Sequence, residues 1–411
     1  MPPETGLPAT TGVPATAGVR ALGRARIAAG QRWVYSAGFN TGVDLADTLR
    51  IDTELPDLRR LADAGARVAL LSHQGSASDG SAVHLDHVAR HLSGRLGREV
   101  RYLPSALGPE AERAARDLAP GEIALFGNTR LLPGEQKADP ELARRLALLG
   151  DQAAIGGFSK AHRDHASNCG LLDHLPGFAA ESLLTEIAAL APWAADGRGG
   201  SRAAVLGGAK PEKTLIGLRH FAQTHDLVIP GGVVLNCLLR ALGHQTGASS
   251  LGERPDACVA QAAEVWSRPR RAQIHLPQTV LVREPGRAGV RAVRLTDGVP
   301  PDGAIVDFVL EPEVLGRLSA ADRVVVAGPP SLCRDGHREA ADAVLGAVRH
   351  APERTLLLGV DTARELPWDG PLSAGGGSAL QFLAEADCTV LRRLRRNAHD
   401  FPGAGAGQPE A

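Results

Sequence analysis

The sequence has little lysine, few aromatic residues and no strong charge of either sign. All but four of its 45 basic residues are arginine, the exceptions being Lys137, Lys160, Lys210 and Lys213. The 46 acidic residues almost balance the basic ones, which excludes a global positive field that would attract nucleic acid or anionic lipid. Aromatic residues are 3% of the 411 positions and leave few surfaces for stacking bases. We therefore expect no nucleic-acid partner.

The chain also lacks the features of a membrane or secreted protein. Its longest uncharged apolar stretch, residues 227–239, is interrupted by proline, two glycines and asparagine and is shorter than the ~20 residues that a span needs. Five cysteines, an odd number without a CxxC pair, fit a reduced compartment better than a disulfide framework. Residues 1–17 carry no basic segment followed by an apolar one, as a secretion signal would. These features predict a cytoplasmic protein with no membrane partner.

Short apolar runs alternate with helix-length amphipathic stretches along both halves of the chain. Runs such as 67–71 and 323–327 predict strands, and helices near 109–118 and 140–149 begin with proline at a first-turn position. Strands separated by helices imply parallel pairing, and at ~150 residues per domain the length predicts two α/β domains. The predicted segments are a disordered tail at 1–28, an α/β domain at 29–180, a hinge helix and linker at 181–200, a second α/β domain at 201–390, and a C-terminal tail at 391–411.

Four glycine-rich turns follow predicted strands in the second half. They are Gly207–Lys210 with Lys213 close behind, Pro230–Gly232, Leu358–Thr362 and Ser373–Ser378. Glycines after a strand let the backbone approach a ligand, and a following helix offers N–H groups to an anion. Lys210 and Lys213 would supply positive charge for phosphate oxygens, and Asp361 is placed as a magnesium ligand. The pattern predicts a site for a nucleotide with Mg²⁺.

Basic and polar residues follow the predicted strands of the first half. His73 follows one strand, Arg130 follows another, and Arg163 lies a few residues beyond a third, while Arg50 comes shortly after Asn40. Arginines from several strand ends can converge on one anion, because guanidinium binds carboxylate or phosphate through two parallel hydrogen bonds. This half therefore predicts a site for an anionic substrate.

Six segments occur in the order and spacing of phosphoglycerate kinase, and the chain resembles that family from about Tyr35 to Leu383. The segments are Leu71–Gly75, Asn128–Arg130 with Gly134–Glu135, Phe158–Ser167, Gly207–Lys210, Gly359–Thr362 and Gly375–Gly377. The resemblance implies two Rossmann-like domains, the first binding an acid and the second binding Mg²⁺ with ADP or ATP. It further implies a hinge that closes, excludes water and brings the acid's carboxylate to the γ-phosphoryl group.

The resemblance also implies roles for individual residues. Those similar to the acid-binding patch are Asn40, His73, Arg130 and Arg163. Those similar to the groups that stabilise the moving phosphoryl group are Arg50, Lys210, Gly376 and Gly377. Those similar to the nucleotide site are Gly208, Ala209, Lys213, Gly231, Gly232, Pro329, Asp361 and Thr362, with Asp361 as the magnesium ligand.

Several positions depart from the family pattern. The family's Arg-Val-Asp-x-Asn is Ser36–Asn40 here, so Gly38 replaces the acid that contacts the glycerate portion. Ser76 replaces an arginine of the basic patch, and Gly156 replaces an aspartate. In the second half, Lys210 and Lys213 are one residue closer than usual, Ala374 replaces a threonine, and Ala327 replaces the asparagine of an Asn-Gly-Pro turn.

The departures affect the acid more than the reacting carboxylate. Losing one charge-assisted bond at Ser76 would cost ~1.5–3 kcal/mol, or one to two decades of affinity for 3-phosphoglycerate. We expect Gly38 to enlarge the pocket where the 2-hydroxyl group would lie. The resulting hypothesis is a monomeric, repurposed paralogue in specialised metabolism, which phosphorylates a related acid and passes the acyl phosphate to a downstream enzyme.

Three alternatives remain open at this point. An ordinary glycolytic phosphoglycerate kinase would explain the motifs that persist, and a non-catalytic nucleotide-binding relative would explain those that are altered. The third is a zinc site, since thiol and imidazole groups at short spacing can hold this metal. Its candidate ligands are His162, His165, Cys169 and His174, with a second cluster at His84, His87 and His91.

Overall fold

Two six-stranded parallel sheets organise the chain, one in each of two compact units. The structure is a computed structural model and describes residues 15–77, 79–194 and 200–404. The first unit contains the chain up to Ala189 together with the residues from Asp387 onward, and the second runs from Leu190 to Ala386. The predicted α/β class with two Rossmann-like domains is confirmed.

The sheet of the first unit has the strand order β3-β4-β2-β1-β5-β6, with every pair parallel. Its strands are β1 Arg32–Ser36, β2 Arg67–Leu71, β3 Val100–Leu103, β4 Ile123–Phe126, β5 Gln152–Ile155 and β6 Gly177–Ala179. Its first six helices are α1 Leu49–Asp52, α2 Leu55–Asp63, α3 Asp86–Leu96, α4 Pro109–Arg116, α5 Pro140–Ala147 and α6 Glu181–Leu190. Strand order reverses between β1 and β5, which is where ligands bind in open α/β sheets.

The second unit has the strand order β15-β14-β13-β7-β8-β9, again all parallel, and a separate antiparallel sheet of order β11-β10-β12. The strands are β7 Arg202–Leu206, β8 Leu227–Pro230, β9 Gln273–Ile274, β10 Thr279–Arg283, β11 Arg291–Arg294, β12 Ala304–Phe308, β13 Arg323–Ala327, β14 Thr355–Leu358 and β15 Leu372–Ser373. The helices are α7 Arg219–Thr224, α8 Gly232–Ala241, α9 Pro255–Ser267, α10 Pro312–Ala320, α11 Glu339–Val348, α12 Val360–Glu365 and α13 Gly376–Glu385.

Local sequence explains most of these elements. The inner strands carry runs of Val, Ala, Leu and Ile because both faces of a parallel sheet are covered. Helix α5 begins with Pro140, and the carboxylate of Asp139 accepts a hydrogen bond from Leu142 N at 2.8 Å. Each sheet has its own core, built around Trp33 and Phe39 in the first unit and around Phe308 and Leu357 in the second.

The two predicted tails are wrong where the structure describes them. Leu22 is fully buried, and Ala179 N donates to Arg20 O at 2.7 Å beside strand β6. At the other end, α14 Thr389–Asp400 packs on the first unit through Val390, Leu391 and Leu394, which share one helical face. Residues 387–390 therefore belong to the first unit rather than to the predicted second domain. Residues 1–14 and 405–411 lie outside the described residues.

The predicted hinge helix corresponds to α6 and a short 3₁₀ turn at Ala191–Trp193. The glycine-rich part of the predicted linker, residues 195–199, is outside the described residues. The boundaries of the hinge therefore stay a prediction.

Candidate active site

The four predicted acid-binding residues lie at the carboxyl edge of the first unit's sheet. Asn40, His73 and Arg130 follow β1, β2 and β4, and Arg163 lies in the loop after β5. Asn40 Oδ1 accepts a hydrogen bond from Gly75 N at 3.0 Å, which joins the loops after β1 and β2. Burial lowers the pKa of His73, and the charges of Arg130 and Arg163 lower it further. The structure thus gathers these four residues along one edge.

Arg130 carries the strongest indication of an anionic ligand. It is 5% exposed, and its Nε and Nη1 atoms are buried without a hydrogen-bond partner. Burial and the charge of Arg163 lower its pKa. Buried polar groups are nearly always satisfied, and a guanidinium cannot satisfy itself by losing its proton. The arrangement therefore fits an anion that would accept from these nitrogens.

Two buried histidines, His73 and His165, lie near these arginines, and both imidazoles are neutral. Burial, followed by the charges of Arg130, Lys160 and Arg163, lowers the pKa of His73 well below its usual value. Burial and the charges of the same three residues lower the pKa of His165 to about 3. A neutral imidazole can donate from one nitrogen and accept at the other. These side chains can therefore orient an acid without adding charge.

Arg50 lies on α1 near the end of β1. Its Nη1 donates a hydrogen bond to Asn40 O, so one branch of the guanidinium is held by the backbone of the loop after β1. The side chain is half-buried. The structure therefore positions Arg50 beside Asn40, a predicted acid-binding residue, and its catalytic role stays a prediction.

Sequence reasoning did not single out Lys160, although it noted how rare lysine is in this chain. Lys160 is 3% exposed and lies in the loop after β5, three residues before Arg163. Its Nζ donates to Ser36 Oγ at 3.0 Å and to Asn168 Oδ1 at 2.6 Å. Burial lowers its pKa to about 8, while the negative charge of Glu54 acts in the opposite direction. A lysine inside the motif was visible in the sequence, but its burial was not.

The expected enlargement of the pocket at Gly38 is wrong. A Cβ on Gly38 would lie 2.9 Å from Gly157 Cα, and a Cβ on Gly157 would lie 2.6 Å from Gly38 N. Gly157 also has φ +67°, which favours glycine. The loops after β1 and β5 therefore meet backbone to backbone, and no room is left where a side chain at position 38 would begin.

A buried acidic cluster lies directly against Gly156. A Cβ there would overlap Glu54 Oε2 and lie 2.7 Å from the hydroxyl of Tyr35. The Tyr35 hydroxyl and Ser182 Oγ both donate to Glu54 Oε2, the latter at 2.9 Å. Next to it, the Asp57 carboxylate accepts from Glu181 N and Ser182 N at 3.1 Å each and so caps α6. The carboxyl of Glu54 thus fills the space beside the missing side chain at 156.

The titration of Glu54 gives a testable dependence of stability on pH. Burial raises its pKa from 4.5 to about 7, so between these values the folded protein holds a proton that the unfolded chain releases. This carboxyl therefore destabilises the fold as the pH rises through that interval. The parent should therefore lose stability from pH 5 to pH 8, whereas Glu54→Gln should not. We expect the difference in unfolding free energy, Glu54→Gln minus parent, to be about 2–3 kcal/mol larger at pH 8 than at pH 5. Urea unfolding at both pH values measures this difference.

The exposed Glu110 on α4 provides the control, because Glu110→Gln removes a surface carboxyl and should follow the parent at both pH values. Parallel pH dependence of the parent and Glu54→Gln would contradict the expectation.

In the second unit, the predicted glycine turns after β7 and β8 pack against the turn after β13, which contains Pro329 and Pro330. A Cβ on Gly207 would overlap Pro329 O, and one on Gly231 would overlap Pro330 O. Gly208 N donates to Pro329 O at 2.9 Å, and Gly232 N donates to Pro330 O at 2.8 Å. Several of these glycines therefore serve contacts between turns. Ala209 is exposed beside them, and Gly208 has only one side-chain atom near its Cβ position.

Lys210 and Asp361 form an ion pair that links the turn after β7 to the start of α12. Lys210 Nζ lies 3.0 Å from Asp361 Oδ2, and both side chains are half exposed or more. A magnesium ion that accompanies a nucleotide uses one or two carboxylates together with phosphate oxygens. Asp361 fits this role as a single carboxylate on an accessible turn. Within the described ranges, no three His, Cys, Asp or Glu side chains are grouped as ligands of a metal ion.

Neither proposed zinc cluster assembles. His165 Nδ1 lies 3.9 Å from Glu135, and Cys169 Sγ donates to Arg163 O at 3.7 Å. In the second cluster, His84 Nδ1 pairs with the Tyr102 hydroxyl at 2.8 Å. His165, Cys169 and His84 therefore serve other contacts.

Lys213 differs from Lys210 in being buried. It opens a π-helical turn, Lys213–Leu218, immediately after the shortened spacing between the two lysines. Burial and the charge of Lys210 lower its pKa to about 8. π-Helical turns are rare and occur often at functional sites. Lys213 therefore adds a buried amine to the exposed amine of Lys210, and this buried amine interacts electrostatically with Asp361.

Helix α13 begins at Gly376, inside the stretch 373–378 that was predicted as a turn before a helix at 379–386. A Cβ on Gly376 would meet no atom within 4 Å, and the Cβ position of Gly359 lies 3.7 Å from Gly376 Cα. The turn before α12 and the start of α13 are therefore adjacent, with open space at Gly376. Thr362 makes a structural contact instead. Its buried hydroxyl donates a hydrogen bond to Leu358 O at 2.7 Å and so links α12 to β14.

No helix in the described residues is long and apolar enough to cross a membrane.

Residues 28–385 match the protein-family model described as "Phosphoglycerate kinase". Relatives with the same name include one from Moorella thermoacetica, 33% identical over 352 residues that make up 82% of this chain and 89% of that protein. Another, from Azorhizobium caulinodans, is 33% identical over 387 residues, covering 90% of this chain and 97% of that protein.

Solved structures support the same fold. The crystal structure of a phosphoglycerate kinase from Pyrococcus horikoshii OT3 matches with a TM-score of 0.74 at 24% identity. That match covers 91% of this chain and 98% of the other. A phosphoglycerate kinase from Coxiella burnetii matches with a TM-score of 0.70 at the same identity.

Proposed function

The chain belongs to the phosphoglycerate kinase family, and on this premise we propose that it transfers a phosphoryl group between ATP and the carboxylate of a phosphoglycerate-like acid. In the direction of ATP use, a carboxylate oxygen forms a bond to the γ-phosphorus, and the bond from that phosphorus to the β,γ-bridging oxygen breaks. ADP leaves with the electron pair of that bond, and the product is an acyl phosphate. Such a transfer needs positioning and charge neutralisation more than covalent catalysis.

The buried guanidinium of Arg130 carries the proposal. Its two unpartnered nitrogens lie at the carboxyl edge of the sheet, and its charge acts on neutral His73. Together with Asn40 and Arg163, this group would bind the anionic acid and turn its carboxylate outward. Arg50, fixed at Asn40 O, would stabilise the transferring group.

The second unit would bind the nucleotide. Gly208, Ala209 and Gly376 lie on turns with accessible backbone, and Lys210 and Lys213 would bind phosphate oxygens. The remaining predicted nucleotide residues are Gly231, Gly232, Pro329 and Thr362, while Gly376 and Gly377 would stabilise the moving phosphoryl group. Asp361 would hold Mg²⁺, which neutralises phosphate charge when bound. Lys210 would then exchange its ion pair with Asp361 for a phosphate oxygen.

The altered acid site favours a substrate other than 3-phosphoglycerate, in a repurposed paralogue whose acyl phosphate a downstream enzyme consumes. Ser76 removes an arginine from the basic patch, and Gly38 leaves no acidic side chain beside the acid. The ordinary glycolytic reaction is the second candidate, because Arg50, Arg130, Lys210 and Asp361 are all retained and the family match extends over residues 28–385.

Trapping with hydroxylamine tests the proposal. The protein is incubated with ATP, Mg²⁺ and single acids: 3-phosphoglycerate, phosphonate analogues and dicarboxylates. We expect hydroxamate to form from an anionic acid, with kcat/KM for an analogue at least tenfold above that for 3-phosphoglycerate. A signal from 3-phosphoglycerate alone would assign the glycolytic reaction. ATP binding without hydroxamate from any acid would contradict phosphoryl transfer and favour the non-catalytic relative.

A further inference from the structure

Lys160 is a buried cation to which the proposed function gives no task. Its two hydrogen-bond acceptors, Ser36 Oγ and Asn168 Oδ1, are both neutral. Among the described residues, no carboxylate lies within 4.0 Å of its Nζ; Glu54 and Glu135 act on it only through longer-range electrostatics. Burying an ammonium without an adjacent counter-charge costs free energy of desolvation. The fold therefore keeps Lys160 buried at a cost in stability.

The hydrogen bonds of Lys160 connect two parts of the acid site. Ser36 is the last residue of β1, the strand that leads to Asn40. Asn168 closes the loop after β5, since its Nδ2 donates to Arg163 O at 2.8 Å while its Oδ1 accepts from Lys160. Ser36 Oγ in turn donates to Ser167 O at 2.5 Å. The ammonium therefore ties the end of β1 to the loop that carries Arg163 and His165.

The charge of Lys160 also reaches the imidazoles of the site. Burial is the main cause of the lowered pKa of His73 and of His165, and the charge of Lys160 lowers both further, together with Arg130 and Arg163. His165 additionally faces His162 and, at 3.9 Å, Glu135. Lys160 thus helps to keep both imidazoles neutral.

We propose that Lys160 is a positioning residue of the acid site, whose buried ammonium holds the loop carrying Arg163 against the end of β1 and thereby sets the affinity for the acid. The inference rests on the proposed function for the identity of the ligand. It assigns no contact between Lys160 and the acid, because both observed hydrogen bonds run to the protein.

The test compares Lys160→Met with Lys137→Met, which removes an exposed lysine from the same unit. Calorimetry measures the Kd for 3-phosphoglycerate and for ATP. We expect Lys160→Met to weaken 3-phosphoglycerate binding about tenfold or more and to leave ATP binding within twofold. NMR titration of the imidazoles should show the pKa of His73 and His165 rising by about half a unit or more. Lys137→Met should match the parent in every measurement.

The histidine titration needs no acid, so it separates this inference from the proposed function. Unchanged histidine pKa values in folded Lys160→Met would overturn the inference whichever acid is the substrate. Equal loss of ATP and acid binding would also overturn it, because the effect would then be general. If Lys160→Met does not fold, Ser36→Ala removes one acceptor and should weaken acid binding about threefold; no change would overturn the inference. Normal acid binding without acyl phosphate formation would contradict only the proposed function.

Discussion

Replacing Arg50 with alanine should lower kcat by about 10² to 10³ while changing the KM for ATP by less than about threefold. The proposed role of Arg50 is to stabilise charge on the transferring phosphoryl group, and donors aimed at developing charge contribute on this scale. Arg50 is half-buried on α1, where its Nη1 donates to Asn40 O. Losing that charge-assisted bond costs the fold about 1.5–3 kcal/mol, less than the stability of a typical domain, so the variant should remain folded. Steady-state kinetics with the acid identified by hydroxamate trapping, and thermal unfolding, measure the two effects separately.

Arg59 supplies a matched control for this prediction. It is an exposed arginine on α2 whose Nη2 donates to a backbone oxygen, Arg95 O, at 2.6 Å. Arg59→Ala therefore removes the same side chain and a similar bond without touching the site. A loss confined to KM in Arg50→Ala would assign ground-state binding to this residue instead. Equal kcat values for the two variants would contradict its proposed role.

A second large effect is expected at Gly207, in stability rather than catalysis. A Cβ there would overlap Pro329 O and lie 2.5 Å from Pro329 C, so an added methyl group must displace backbone rather than a flexible side chain. Backbone and core displacements of this kind cost about 3 kcal/mol or more. At about 2–4 °C per kcal/mol for a unit of this size, Gly207→Ala should lower Tm by about 6–12 °C. Calorimetric unfolding measures the change.

At Gly376 we expect the opposite result, a loss of activity with little loss of stability. The pair of variants therefore distinguishes a glycine needed for packing from one needed for ligand approach. Its Cβ position meets no atom within 4 Å, and it lies at the start of α13, where alanine is at least as favourable as glycine. Gly376→Ala should keep Tm within about 2 °C of the parent but lower kcat about tenfold, because the methyl group would narrow the approach to the helix N-terminus. Similar Tm losses in the two variants would contradict the distinction between packed and open glycines.

The sequence predicts well what depends on local pattern. Runs of Val, Ala and Leu between amphipathic stretches predict the parallel strands, and residues just after those runs reach one edge in the structure. His73 and Arg130 are found there because the carboxyl ends of parallel strands share an edge. The same reasoning places Lys210 and Asp361, from different turns, close enough to pair.

The sequence does not predict what depends on contacts between distant segments. Glu54 has nothing nearby in sequence that would indicate burial, yet it fills the space beside Gly156, 102 positions later in the numbering. Gly38 was expected to enlarge the pocket because Gly157, whose backbone fills that space, is also far away in the sequence. Residues 391–411 were predicted as a C-terminal tail, although Leu391 and Leu394 are spaced to share the buried face of α14. The antiparallel strands β10–β12 were missed because the alternation of strands and helices stops there.

The return of α14 to the first unit bears on how the protein is made. Asn397 Nδ2 donates to Leu172 O and Leu175 O, its Oδ1 accepts from Gly177 N, and Arg20 donates to Asn397 O and Phe401 O. A ribosome that has synthesised the chain as far as Ala189 has therefore produced every strand of the first sheet but not the helix that satisfies these groups. The first unit therefore stays incomplete until the whole second unit has been translated, because α14 follows it in the sequence.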